Sequence, residues 1–227
     1  MKNKIDAIKN KIKKTALKCQ RDLNLIHLVA VSKTMSREKV KLAIDAGAAI
    51  LGESYINEAR EKTDALKAYN VSWHFIGHLQ SNKAKYAVGL FDLIHSVDSM
   101  KLVKEIDKQA KKKEIVQNIF IQVNISNETT KSGIALTSAE DFLKKAALFK
   151  NISIKGLMTM PPFFDDQEKA RPFFKALRQL KETINLKKIP NITLTELSMG
   201  MTNDYVVAIE EGATYVRIGT AIFGQRT

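Results

Sequence analysis

Eight short apolar runs recur along the chain, near residues 28–33, 48–52, 73–77, 92–97, 118–125, 153–159, 192–198 and 214–219. Each has the length of a buried strand, and the segments between them carry helical periodicity instead. Val40, Ala43 and Ile44 are closed by Gly47; Leu102, Val103, Ile106 and Ala110 share one face. Phe142, Leu143 and Ala146 follow Ser138, whose spacing to Asp141 predicts a capping box. Phe173, Ala176, Leu177, Leu180 and Ile184 mark a long helix, and Val206 to Ile209 lie between a cap-like Asn203 and Gly212.

This alternation runs without a linker or a low-complexity stretch. It predicts a single α/β domain over residues 1–227, a parallel (β/α)8 TIM barrel over 25–227 with an N-terminal capping helix in 1–24. Ile5, Ile8, Ile12, Ala16 and Cys19 supply the apolar stripe of that first helix, with lysines on its other face. A transit peptide would favour arginine over acids, whereas Asp6 is present and no arginine precedes Arg21. A doubly wound open sheet is the alternative, weakened because no G-x-G-x-x-G turn follows the first strand.

A barrel places its chemistry at the carboxyl ends of its strands. Those ends read Lys33; Gly52-Glu53-Ser54; Gly77-His78; Ser96-Val97-Asp98; Asn124-Ile125-Ser126; Met158-Thr159-Met160; Ser198-Met199-Gly200; and Gly219-Thr220. Lys33 closes the first run, Leu28-Val29-Ala30-Val31-Ser32. An ammonium is costly to desolvate, so a lysine here is either solvated in a plain turn or an active-site amine poised for a Schiff base. The ends of the last two strands hold small and hydroxylic residues, Ser198 and Thr220 among them, where barrels commonly bind phosphate. Ordinary turn chemistry would use the same residues.

Arg217 lies two positions before Gly219, so both point the same way along the strand. Buried in a barrel, this arginine needs an acceptor: Glu53 or Asp98 is the plain candidate, a cofactor ring nitrogen the sharper one. An amine for an aldehyde, a phosphate cradle and a donor for a ring nitrogen together suit pyridoxal phosphate. His74 and His78 stand four apart, but they fall on a strand and lack a third ligand, so no metal is expected. His95 reads as a hydrogen-bonded interior residue and His27 as exposed.

Composition narrows the alternatives. The one cysteine, Cys19, excludes an internal disulfide and a cysteine-built metal site and suits a reducing cytoplasm. No apolar run approaches the roughly 20 residues of a membrane span. The net charge of +13 comes from 37 basic against 24 acidic residues. The lysines are spread over helix-like segments with no helix-turn-helix, zinc or RNP pattern, so solvated faces are expected rather than a nucleic-acid surface.

Several stretches together are more specific than any one site. AVSKT at 30–34, GESYINE at 52–58, WHFIGHLQSNK at 73–83 and HSVD at 95–98 stand in register with QVNIS…KSGI from Gln122 to Ile134, GLMTM at 156–160, LSMGM at 197–201 and VRIGTAIFG at 216–224. In these the chain resembles the pyridoxal-phosphate homeostasis proteins, members of the alanine-racemase-like, fold type III barrels. The resemblance implies a pyridoxal 5'-phosphate cofactor bound covalently at Lys33. It also implies phosphate held by Ser198, Thr220 and the backbone around Met199 and Gly219, and Arg217 facing the pyridine nitrogen. Ser54 stands where family members commonly carry Asn, and Met35-Ser36 where they often carry Lys-Pro or similar.

The implied function is a carrier and buffer that keeps the aldehyde as an imine and passes it to enzymes that require it; the sequence itself leads us to expect a cytoplasmic monomer. The competing reading is an amino-acid racemase, which needs a second acid–base group on the opposite ring face. In barrel racemases a partner's tyrosine supplies that group, helped by a carboxyl-terminal β domain, which a chain ending at Thr227 is expected to lack. Tyr55 and Tyr205 are the tyrosines near strand ends, and Lys131 could mark a second phosphate site.

Overall fold

A computed structural model describes residues 1–126, 128 and 131–225; the final two positions of the expected barrel span lie outside them. In chain order the elements are α1 (Lys2–Lys18), β1 (His27–Val31), α2 (Arg37–Asp45), β2 (Ile50–Glu53), α3 (Ile56–Ala65) and β3 (Ser72–Phe75). Then come α4 (Ala84–Ala87), β4 (Leu93–Val97), α5 (Met100–Lys112), β5 (Gln117–Asn124), β6 (Ile134–Ala135) and α6 (Ala139–Ala146). The chain ends with β7 (Ile152–Met158), α7 (Arg171–Leu186), β8 (Glu196–Met201), α8 (Tyr205–Glu210), β9 (Tyr215–Ile218) and α9 (Thr220–Phe223).

Strands β4-β3-β2-β1-β9-β8-β7-β5 pair in that order, and the β4–β5 pairing closes the ring. Every pairing is parallel, so the fold is the expected eight-stranded (β/α)8 barrel. Among the described residues the two-residue β6, too short for a pattern, pairs only with β5, outside the ring. The core between strands and helices is aliphatic: Leu51, Ile94, Ile119, Ile121 and Leu157 from strands meet Val40, Val103, Ile106, Leu143 and Leu177 from helices, all fully buried.

Helix ends follow local chemistry. Ser36 and Ser99 cap α2 and α5 by accepting the Lys39 and Leu102 N–H groups. The capping box expected at Ser138 does not form: a 3-10 turn over Leu136–Ser138 leads into α6, so Ser138 is already helical and its side chain caps nothing. Likewise Asp204, not Asn203, is the cap residue of α8. In α7 the buried aromatic is Phe174, while Phe173 stacks on Phe164. Helix α1 buries Ile5, Ile8, Ile12 and Ala16 as its stripe predicts, and packs against α8 and α9. No helix among the described residues is long and apolar enough to cross a membrane.

Candidate functional site

A cavity of about 350 Å³ opens at the carboxyl mouth of the barrel, within the roughly 300–1,000 Å³ common for small-molecule sites. Lys33, Arg217, Gly219 and Thr220 all line it, as does Ser54. Four of the six residues singled out for a cofactor therefore meet in one place. The other two, Ser198 and Met199, are fully buried and lie off the cavity wall. Their displacement has a structural cause. Strand β8 does not stop at Ser198-Met199-Gly200 but continues to Met201, with a register shift against β9 between Ser198 and Met201. Met201, Thr202 and Asn203 form the wall instead.

Lys33 is carried on a braced turn. Strand β1 ends at Val31, and the buried Ser32 donates its hydroxyl to Glu53 Oε1 at 2.6 Å. Thr34 adopts the left-handed conformation at φ 65°, uncommon for a β-branched residue. Its N–H donates to Glu58 Oε1 on α3. Lys62, one turn further along α3, is buried and donates to Ser32 O, Glu53 Oε1 and Glu58 Oε1 at 2.6, 2.9 and 2.5 Å. Burial pushes the Glu53 carboxyl up, against the opposing pull of its Ser32 and Lys62 hydrogen bonds. A lysine at a helical position reads as solvated, so nothing in the sequence marked this brace.

At the end of β9, which pairs with β1, Gly219 leads into α9, whose first internal N–H donors are Ile222 and Phe223. The N–H groups of Thr220 and Ala221 precede them and have no partner within the helix. Thr220 Oγ1 donates to Thr202 Oγ1 at 3.2 Å, bringing two hydroxyls together. Asp204 accepts the Met201 N–H at 2.6 Å and fixes the loop that presents Thr202 and Asn203. This donor set suits an anion such as a phosphate.

Arg217 points into the barrel as its spacing from Gly219 predicts, but neither Glu53 nor Asp98 is its partner. Glu53 is committed to Ser32 and Lys62, and Asp98 lies 3.6 Å from His78. Arg217 donates to Ser198 Oγ at 2.5 Å and to the Thr159 carbonyl at 2.9 Å, both neutral acceptors. Desolvation pushes the guanidinium down to about 10, opposed by the charge of Asp204. A buried cation whose hydrogen bonds among the described residues go to neutral oxygens, with an edge on the cavity, favours an acceptor supplied by a ligand.

The histidines separate as follows. His95 is fully buried and hydrogen-bonded, as its placement on a strand suggests; His74 is buried beside it with Nδ1 2.9 Å from His95 Nε2. His78 is exposed. His27 is half-buried rather than exposed, its ring 4.7 Å from that of Tyr215. Among the described residues no group of three His, Cys, Asp or Glu side chains could hold a metal. Neither Tyr55 nor Tyr205 lines the cavity, whereas Met160, Phe163, Phe164 and Gln167 from the segment after β7 do. Met160 falls at a strand end read from the sequence, whereas Phe163, Phe164 and Gln167 follow it in a stretch with no strand or helix pattern to mark them.

Comparison with known proteins places these features in a lineage. Residues 4–227 match the family model described as alanine racemase, N-terminal domain. The chain is 40% identical over 223 residues to the pyridoxal phosphate homeostasis protein of Aquifex aeolicus, covering 98% of this chain and 97% of that one. It is 37% identical to the protein of that name from Escherichia coli strain K12, over 96% of this chain and 94% of the other. The structure of PipY from Synechococcus elongatus PCC7942, solved with PLP bound, superposes with a TM-score of 0.83 at 32% identity, covering 94% of this chain and all 100% of that one. Alanine racemase of Clostridium difficile 630 shares the fold alone, with a TM-score of 0.71 at 13% identity over 96% of this chain and 57% of that one.

Proposed function

The chain belongs to the family of pyridoxal phosphate homeostasis proteins, and on that premise we propose that it binds pyridoxal 5'-phosphate through Lys33 and acts as a carrier and buffer of that cofactor. The observation that carries this reading is the convergence of Lys33, Arg217, Gly219 and Thr220 on one cavity. The residues present fit the group. Thr202, Thr220 and the first-turn N–H groups of α9 offer donors to a phosphate, and the buried Arg217 offers one to a ring nitrogen. When bound, pyridoxal phosphate supplies a reactive aldehyde that a lysine amine can capture.

The chain's own residues then have separable tasks. The Ser32–Glu53–Lys62 brace orients the turn of Lys33 toward the cavity. The paired threonines and the loop fixed by Asp204 hold the phosphate end. An arginine rather than an acid at the ring nitrogen disfavours its protonation and so weakens the ring as an electron sink. That suits carriage better than broad carbanion chemistry. Among the described residues no tyrosine of this chain lines the cavity, so the second acid–base group that racemisation requires would have to come from elsewhere. On this reading the protein works in the cytoplasm as a monomer and hands its cofactor to enzymes that lack it.

The test is chemical. Purified protein incubated with pyridoxal phosphate is expected to turn yellow, and borohydride reduction to fix a pyridoxyl group on the peptide holding Lys33. The K33A variant should show no adduct. Adduct at another lysine, or none in the wild type, refutes the assignment. Amino-acid racemase assays are expected to read at background.

A further inference from the structure

The interior of a (β/α)8 barrel is ordinarily filled by branched apolar side chains, yet this one carries an unbroken hydrogen-bonded line of polar groups. Arg217 Nη1 donates to Ser198 Oγ at 2.5 Å, and Ser198 Oγ lies 2.8 Å from His95 Nδ1. His95 Nε2 is 2.9 Å from His74 Nδ1, and His74 Nε2 is 3.1 Å from Ser72 Oγ. Ser72 in turn donates to Asp92 Oδ2 at 2.7 Å, where the Trp73 N–H also donates. The line crosses β9, β8, β4 and β3 and ends on the turn before β4, near the amino end of the strands. Burying four such side chains without need would be costly.

The two ends determine every proton between them. A guanidinium only donates and a carboxylate only accepts. Ser72 has one proton and gives it to Asp92, so it receives from His74 Nε2; read back from there, Ser198, whose oxygen accepts from Arg217, gives its own proton to His95 Nδ1. A neutral His95 therefore carries its hydrogen on Nε2 and donates it to His74 Nδ1. His74 is then also the Nε2–H tautomer and donates to Ser72, whose proton goes to Asp92. A second proton on His74 would set its Nδ1–H against the Nε2–H of His95.

We infer that His74 and His95 are positioning residues for Arg217, holding one edge of its guanidinium through Ser198 so that its remaining N–H groups meet the cavity in a single arrangement. The tautomers follow from this chain alone; the consequence for a ligand rests on the pyridoxal phosphate reading above. Among the charged and titratable neighbours, Arg217 and His27 favour neutral rings and Asp92 pulls His74 the other way. Arg217 and Tyr215 from β9, His27 from β1 and Asp92 from the turn before β4 surround them. Burial lowers His74 to about 4 and holds His95 well below the ordinary imidazole range.

The experiment has two arms. In the first, the full chain with 15N-labelled histidine is followed by NMR without any ligand. Both rings are expected to be neutral with hydrogen on Nε2 from pH 8 down to about 5. Hydrogen on Nδ1 of either ring, or a doubly protonated ring above about pH 6, overturns the inference. In the second, wild type, H95F, S198A and H95N are titrated with pyridoxal phosphate. H95F and S198A should bind about tenfold more weakly, with an altered pH response of the visible band. H95N, which restores an acceptor for Ser198, should recover most of the wild-type band. Unchanged affinity and spectrum in a folded H95F refute the positioning role. If H95F does not fold, the tautomers decide. If the wild type takes up no pyridoxal phosphate, the proposed function fails, while the first arm still stands or falls by itself.

Discussion

Glu58 Oε1 accepts the backbone N–H of Thr34 and the ammonium of Lys62, each at 2.5 Å. One carboxylate thus ties α3 to the residue that follows Lys33. Because Thr34 sits at φ 65°, the contact offsets backbone strain of order 1–3 kcal/mol. Replacing Glu58 by Ala should lower stability by about 1–2 kcal/mol, measured by urea denaturation. It should also slow formation of the borohydride-trapped adduct at Lys33. Glu58→Gln retains an acceptor for Thr34 and should keep most of the capture rate.

Lys62 carries more weight. It is 3% exposed and its partner Glu53 is 0% exposed, so removing the ammonium strands a carboxylate in the protein interior. Glu53 Oε2 has no hydrogen-bond partner among the described residues, which leaves little to compensate. Lys62→Met should cost about 3–5 kcal/mol. The double variant with Glu53→Leu, in which both charges are gone, should recover a substantial part of that loss. Equal stability of the single and double variants would contradict the pairing.

These two braces also show where sequence reading stops. Apolar runs locate the strands because a buried parallel strand has few other compositions available. The ends of those strands then bring Lys33, Arg217, Gly219 and Thr220 to one mouth. Strand β8 defeated the same rule: Ile192 and Leu194 are buried apolar residues in a loop, so the run began early and its end was placed near Ser198. Gly200, at φ 92°, looks like a turn residue yet lies within the strand. Polar contacts were the least accessible. His95 and Ser198 are 103 positions apart, and no local pattern records a partner so distant.

The interior histidines make stability depend on pH. Desolvation lowers His74 from its ordinary 6.5 to about 4. Between those values the unfolded chain binds a proton that the folded chain refuses. The stabilisation is therefore complete above about pH 6.5 and is lost as pH falls toward 4, a difference of about 3 kcal/mol. Burial raises the carboxyls of Glu53, Asp98 and Asp204, and these act in the opposite sense. The comparison is accordingly between wild type and His74→Gln in urea denaturation at pH 7.5 and 4.5. The variant should lose less stability on acidification, and parallel losses would contradict a buried neutral His74.

Gly200 controls the wall that replaced Ser198 and Met199. Its φ of 92° lies in the left-handed region, and an added Cβ would stand 2.5 Å from Ala208 Cβ and 3.0 Å from Tyr205 Cα. Neither contact can yield without moving α8, whose start holds the loop of Thr202 and Asn203. Gly224 provides the control, because its φ is 90° and a Cβ there would meet nothing within 4 Å. Gly224→Ala should cost about 1 kcal/mol of backbone strain alone. Gly200→Ala should add an overpacking penalty of about 1–3 kcal/mol, because it must displace α8. Since Thr202 is hydrogen-bonded to Thr220 on the cavity wall, that displacement should also weaken pyridoxal phosphate binding, which Gly224→Ala should leave near the wild-type value. Equal costs at the two positions would mean that β8 and α8 are not packed as closely as 2.5 Å implies.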